Sequence, residues 1–191
     1  SLRRRQRQMC IRDSPYAKVV VTPAGQIQPQ TWLLGSSGQS AAWAGEQGMD
    51  YAYAQFFTGR QDTGIMDHYR AHLSDGFPGR TLSAVCVSAA PTRQEALEQS
   101  LMAANFRVSL GTGRPVTFVT ASQMDAETRS LLTSYVLSNE DTIFVGDYDE
   151  VADKLTAFQD AHHVDELMLI SYIDNVQTKV ERYRQLAKRL I

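Results

Sequence analysis

From Lys18 onward, short apolar runs alternate with longer stretches whose apolar residues recur every three to four positions. The first pattern predicts buried β-strands and the second amphipathic helices. Strands are expected at Thr31–Gly35, Tyr51–Phe57, Leu82–Ala89 and Leu167–Tyr172. Between and after them, helices are expected at Gln39–Gln47, Asp62–Leu73, from Pro91 to about Phe106, and at Asp125–Leu137, Asp147–Ala161 and Val176–Leu190. In the second of these Ile65, Tyr69 and Leu73 share a face, and in the last Val176, Val180, Tyr183 and Leu186 do. Gly48 stands where a helix C-cap is needed, and Lys188 and Arg189 sit in a last turn, where cations are favoured. Gly111–Pro115 reads as a loop.

Strand–helix repetition of this kind implies parallel strands joined by right-handed crossovers. Four units make either a small open sheet or half of an eight-stranded barrel. A complete barrel takes about 250 residues. An isolated four-stranded sheet with near-continuous apolar strands would leave two aggregation-prone edges. The expectation is therefore an α/β fold, the C-terminal half of a TIM-type barrel. Such a half, alone, is expected to express poorly or to aggregate.

Composition narrows the function classes. Hydrophobic residues make up 43% and charged residues 21%, ordinary for a globular domain. No apolar run approaches the roughly 20 residues that span a bilayer, and no secretory signal is visible. The formal charge of −2 is uneven: residues 1–14 hold Arg3, Arg4, Arg5, Arg7 and Arg12 against Asp13, a net +4, which leaves −6 on the rest. A body that acidic offers no broad basic face for nucleic acid. Residues 1–14 show no helical or strand period and are read as a non-native or disordered basic segment, with the domain proper at 15–191. Two cysteines, Cys10 and Cys86, make no disulfide framework; Cys86 is expected to be a packed core thiol, which suits a reducing cytoplasm.

The stretch WLLGSSGQSAAWAGEQGMDYAYAQFF, residues 32–57, carries the chemistry. An apolar strand runs into Gly and Ser and then directly into a helix. That order gathers the hydroxyls of Ser36, Ser37 and Ser40 and the free amides around Gly38 at a helix N-terminus, where the dipole favours an anion such as phosphate. Simple capping by Ser37 or Ser40 explains the same residues without a ligand, and the loop lacks the lysine and spacing of a nucleotide P-loop. In the next strand Gln55 lies near the C-terminal end, where barrel sites collect, while Tyr51, Tyr53 and Phe57 suit core packing. His68 and His72, four apart, share a helix face, but Asp67 points elsewhere, so they are read as a solvated outer face and no metal is expected. His162 and His163 are expected to cap or meet solvent in a helix-to-strand turn.

WLLGSSGQSA followed by the glycine, YAYA and phenylalanine pattern at residues 48–57 resembles the luciferase-like flavin-dependent monooxygenases. So does Phe144-Val145-Gly146 leading to Asp149-Glu150-Val151, and Val164–Met168 resembles that family's approach to its last strand. The likeness spans roughly residues 31–190. It implies an eight-stranded barrel of which the fifth to eighth strands are visible, with the serine-rich corner contacting the phosphate of FMN or a deazaflavin. Position 36 is a glutamate in some members, which makes Ser36 the least typical of the three serines. The implied parent reacts reduced FMN with O2 and an organic substrate. A flavin reductase is the implied source of the reduced cofactor, and a homodimer is compatible. Catalytic residues would lie on the first four strands, so none is named. A deazaflavin-dependent reductase, a non-catalytic flavin binder and a flavin-free α/β module are the competing readings.

Overall fold

The computed structural model describes residues 30–59, 62–140 and 142–191, so Cys10 and the basic segment 1–14 lie outside the described residues. Thr31–Ile191 forms one compact unit. Its elements are β1 (Trp32–Gly35), α1 (Gly38–Glu46), β2 (Asp50–Tyr53), α2 (Gln55–Thr58), α3 (Gly64–Ala71), β3 (Thr81–Ala90), α4 (Arg93–Thr112), α5 (Ala126–Leu137), β4 (Phe144–Asp147), α6 (Tyr148–His162), β5 (Glu166–Ile170) and α7 (Val176–Leu190), with a 3₁₀ turn at Ala121–Gln123 before α5.

Every ladder is parallel, as strand–helix alternation requires. β3 is the spine: its first residues pair with β2, Leu82–Cys86 pair with β5, and Val87–Ala90 pair with β4. All ten of its residues are buried, which explains its unbroken run of small and apolar side chains. Because side chains alternate across a strand, Val85, Val87 and Ala89 pack on α6 and α7 with Val151, Leu155, Phe158 and Leu186. Cys86 and Ala90 face the other way, onto Ala96, Leu101 and Ala104 of α4 and Leu132 and Val136 of α5. Burial pushes the Cys86 thiol up to about 11, so it is an inert core group.

Three expectations require correction. The run Tyr51–Phe57 is not one strand: β2 ends at Tyr53, and Gln55–Thr58 turn into α2, closed by Gly59 in the left-handed region at φ 63°. Ala54 N still donates to the Gly35 carbonyl at 2.8 Å, the last bond of the β1–β2 ladder, and the chain turns into α2 directly after it. Pro91 does not begin the third long helix; Thr92 caps it, accepting from Glu95 N at 3.2 Å, and α4 runs on through Gly111 and Thr112 to a left-handed Gly113. Phe144–Asp147 is a strand rather than part of a turn, and Asp147 then caps α6 in a box with Glu150, whose carboxylate accepts from Asp147 N at 3.0 Å.

His162 overturns another expectation: it is buried rather than solvent-facing. Its Nδ1 donates to the Phe158 carbonyl at 2.9 Å and its ring stacks on Phe158 at 3.9 Å. Neighbouring His163 ends α6 in the left-handed region at φ 51°. Burial holds the His162 imidazole below its usual pKa, so the folded state binds a proton less readily than the unfolded one. Its stabilising contribution is complete above the unfolded value near 6.5 and is lost as pH falls through it, by up to about 1.4 kcal/mol per pH unit. Urea melts from pH 8 to 5 are expected to show that loss, and His162→Phe is expected to flatten it; an equal slope in the variant would remove His162 as the cause.

The inner face of the sheet is formed by Trp32, Leu34, Ala52, Leu82, Ala84, Met168 and Ile170. Part of it is open: Leu34 is 59% and Met168 53% exposed. β1 pairs only with β2 and β5 only with β3 among the described strands.

Candidate functional site

At the C-terminal end of β1 the chain passes through Ser36 into α1. Ser37 is the N-cap, with extended backbone, and its hydroxyl accepts from Ser40 N at 3.3 Å. Ser40 Oγ in turn accepts from Ser37 N at 3.3 Å and donates to the Ser37 carbonyl at 2.7 Å. The Tyr51 hydroxyl, from β2, reaches the same carbonyl at 3.3 Å and lies 3.1 Å from Ser40 Oγ. Burial raises the Tyr51 phenol above its ordinary pKa, so at neutral pH it is an uncharged brace. Gly35 is compulsory here, because a Cβ on it would lie 2.2 Å from Ser40 Oγ.

Ser37 and Ser40 are therefore engaged with each other. The helix nonetheless keeps its first N–H groups, those of Gly38 and Gln39, without a partner four residues back. Ser36 stands beside them half-buried, and no acidic residue occupies the first turn. The donors and the positive end of the dipole fit a phosphate at this corner. His68 lies on the same corner: its ring would be 3.3 Å from a Cβ on Gly38, so glycine keeps the approach clear. The sequence reading placed His68 on an outer face; it is exposed, but it rises from α3 against the start of α1 and lies tilted beside His72, 4.4 Å between ring centres. Among the described residues no three metal-ligating side chains gather, and no helix is long and apolar enough to cross a membrane.

Gln55 is brought to the end of β2 but sits inside the protein, fully buried. Its Nε2 donates to the Thr142 carbonyl at 3.3 Å, while Oε1 has no partner. That carbonyl also accepts from Arg107 Nη2 at 2.7 Å. Ser36, Ser37, Gly38 and Ser40 thus form one corner, and Gln55 belongs to a buried polar knot with Arg107 and Thr142. Arg107, Tyr51 and His68 acquire these positions only through tertiary contacts; the one local hint was Arg107 itself, a charge embedded in the otherwise apolar stretch of α4.

A parallel sheet backed by helices, with a helix start at the C-terminal end of its edge strand β1, is an arrangement able to hold a phosphate-bearing cofactor. Comparison with known proteins gives that arrangement its particular form. No protein-family model matches the chain. It is 26% identical over 181 residues to an N-acetyl-S-alkylcysteine monooxygenase of Bacillus subtilis (strain 168), covering 92% of this chain and 54% of that protein. The crystal structure of apo-MsnO8 superposes with a TM-score of 0.72 at 29% identity, covering 98% of this chain and 60% of that one. Two more distant structures share the fold. The oxygenating constituent of 3,6-diketocamphane monooxygenase from Pseudomonas putida, in complex with FMN, has a TM-score of 0.55 at 16% identity, covering 88% of this chain and 50% of that one. An F420-dependent secondary alcohol dehydrogenase has a TM-score of 0.59 at 13% identity, covering 91% and 52%. The chain is similar in sequence and fold to luciferase-like flavin-dependent monooxygenases. It spans about half the length of the curated relatives it matches.

Proposed function

We propose that residues 15–191 are the C-terminal half of an eight-stranded barrel and that the parent polypeptide is a flavin-dependent monooxygenase. One oxygen atom of O2 enters an organic substrate and the other leaves as water, at the expense of reduced FMN. The observation that carries this reading is the corner at Ser36, Ser37, Gly38 and Ser40. It offers free amides, a hydroxyl, a favourable dipole and no carboxylate in the first turn of α1, and it ends the edge strand β1 in a chain similar to monooxygenases. Single-sided pairing of β1 and β5, and the open inner face at Leu34 and Met168, support the half-barrel.

When bound, the flavin supplies the electron chemistry. The chain's own part is positional. Gly38 and Gln39 amides and the Ser36 hydroxyl hold the phosphate. Ser37, Ser40 and Tyr51 fix the backbone that presents them. The apolar inner face of β1, β2 and β3 excludes water from the ring. Gln55 shapes the wall behind this face rather than touching the ring. Residues that act on oxygen belong to the four preceding strand–helix units. A reductase, in the cytoplasm with the parent, supplies the reduced flavin, and a homodimer is compatible with this placement.

A second reading, a deazaflavin-dependent enzyme that uses no oxygen, keeps the same corner; the F420-dependent fold relative favours it. Isotope labelling separates the two. The parent, loaded with reduced FMN and given ¹⁸O2 with substrate, is expected to place one labelled atom in the product. Tight flavin binding with no label incorporated into any turned-over product would overturn the oxygenase reading.

A further inference from the structure

A cleft of about 390 Å³ opens where the chain leaves the C-terminal ends of β3 and β5, with Glu95, Gln99, Met102, Tyr172, Asp174 and Arg182 in its walls. A hollow of about 430 Å³ adjoins it, sharing Met102 and Tyr172 and adding Phe118 and Lys179. Together they fall in the range of small-molecule sites, about 300–1,000 Å³. They lie apart from the serine corner, which ends β1, but at the same end of the sheet.

Gln99 is the telling group. It lines the cleft, yet both its Nε2 and its Oε1 are sealed from bulk solvent and neither has a hydrogen-bond partner. An unpaired buried polar group is destabilising, because it gives up its bonds to water and gains none in return. Leucine would fill the same volume of α4 without that cost, so packing does not explain a glutamine here. A side-chain amide with donor and acceptor both free is complementary to one other group above all, another amide presenting its acceptor and donor side by side. Its terminal torsion is soft and roughly twofold, which lets the amide turn toward a ligand in the cleft.

The surroundings select further. Phe106, Phe118 and Tyr172 stack with ring centres 5.5 to 6.0 Å apart, an aromatic wall along the adjoining hollow. Charge acts against anions. Glu95, Glu98 and Asp174 face the cleft with Arg182 as its single cation, and Arg182 is already committed to the Ala89 carbonyl at 2.8 Å and to Glu95 at 3.9 Å. Lys179 reaches only the adjoining hollow. A flavin phosphate or a carboxylate would meet net negative charge here.

We propose that this cleft binds an uncharged aromatic carboxamide, its amide edge paired with Gln99 and its ring against the Tyr172 and Phe118 wall. Only the word substrate for such a ligand rests on the oxygenase reading; binding itself does not. Benzamide titrated into the parent protein by calorimetry is expected to bind saturably at a single site. Benzoate, the same shape with a negative charge, is expected to bind at least about tenfold more weakly, a difference of about 1.4 kcal/mol. Gln99→Leu is expected to weaken benzamide binding by a similar factor while the melting temperature stays level or rises, since an unpaired amide has been removed. Gln99→Glu, which keeps the side-chain shape, serves if the leucine variant does not fold, and is expected to weaken binding likewise. A glutamine with a merely structural or water-bridging role would lower the melting temperature on replacement and leave benzamide affinity untouched, and that result overturns the proposal. So does equal binding of benzoate, or no saturable binding of benzamide. Loss of flavin binding with benzamide binding retained would sink the oxygenase reading and leave the cleft standing.

Discussion

Ser37→Asp is expected to lower the affinity of the parent protein for FMN by about tenfold or more, or about 1.4 kcal/mol, without lowering its melting temperature. The two effects separate because aspartate and serine are comparable N-caps, and a carboxylate at a helix start is favoured by the dipole. The cap that holds Ser40 N at 3.3 Å therefore survives, while a negative charge appears beside the amides proposed to hold the phosphate. Ser37→Ala tests the other half of the statement: it keeps the corner uncharged but costs about 1 kcal/mol of stability through the lost cap. Quenching of flavin fluorescence measures the first effect and thermal unfolding the second. If the aspartate variant binds FMN as the parent does, the phosphate lies elsewhere and these serines are caps alone.

Arg107→Met is expected to destabilise the chain by about 2–4 kcal/mol, the scale of losing charge-assisted bonds and stranding their acceptors. The guanidinium is buried on α4, where Nε donates to the Phe56 carbonyl at 3.2 Å, Nη1 to Thr142 Oγ1 at 2.7 Å and Nη2 to the Thr142 carbonyl at 2.7 Å. It thereby ties the turn after β2 to the loop entering β4. Methionine preserves the stem and removes all three donors, leaving the Phe56 carbonyl without that partner and the Thr142 carbonyl dependent on Gln55. For a chain of this length the melting temperature should fall by roughly 5–15 °C. A melting temperature matching the parent's would show that solvent replaces these bonds at no cost. Gly59 gives an independent check on the same knot, since a Cβ there would meet Arg107 Nη1 at 2.9 Å in a backbone that already disfavours one.

Much of the architecture was legible from local pattern. β1, β3 and β5 fall where apolar runs predicted, and α7 occupies the predicted span Val176–Leu190. The corner was legible too, because strand, glycine, serines and helix follow one another within a few residues and Ser37 caps as its type suggests. β2 was overextended because Tyr51–Phe57 is apolar or aromatic apart from Gln55, and such a run does not distinguish a strand from a strand followed by a turn of helix. β4 was absorbed into a turn since Phe144–Asp147 is only four residues and is flanked by a helix signal. His162 looked like a polar turn residue; its burial depends on the stack with Phe158, set by how α6 docks on β3.

By itself the sequence determined the alternation of strands and helices, the caps that bound the helices, and the serine corner at the start of α1. Each of these is decided by interactions reaching no further than about four residues, or by a period of two or 3.6 along the chain. Tertiary structure alone decided that β3 would carry three neighbours. It also put Arg107 on Thr142, 35 residues away, and Gln55 on the same carbonyl, 87 residues away, and it left Gln99 unpaired in the wall of a cleft. These outcomes are settled by which distant carbonyls and rings arrive beside a side chain once the layers pack, and no local periodicity encodes that.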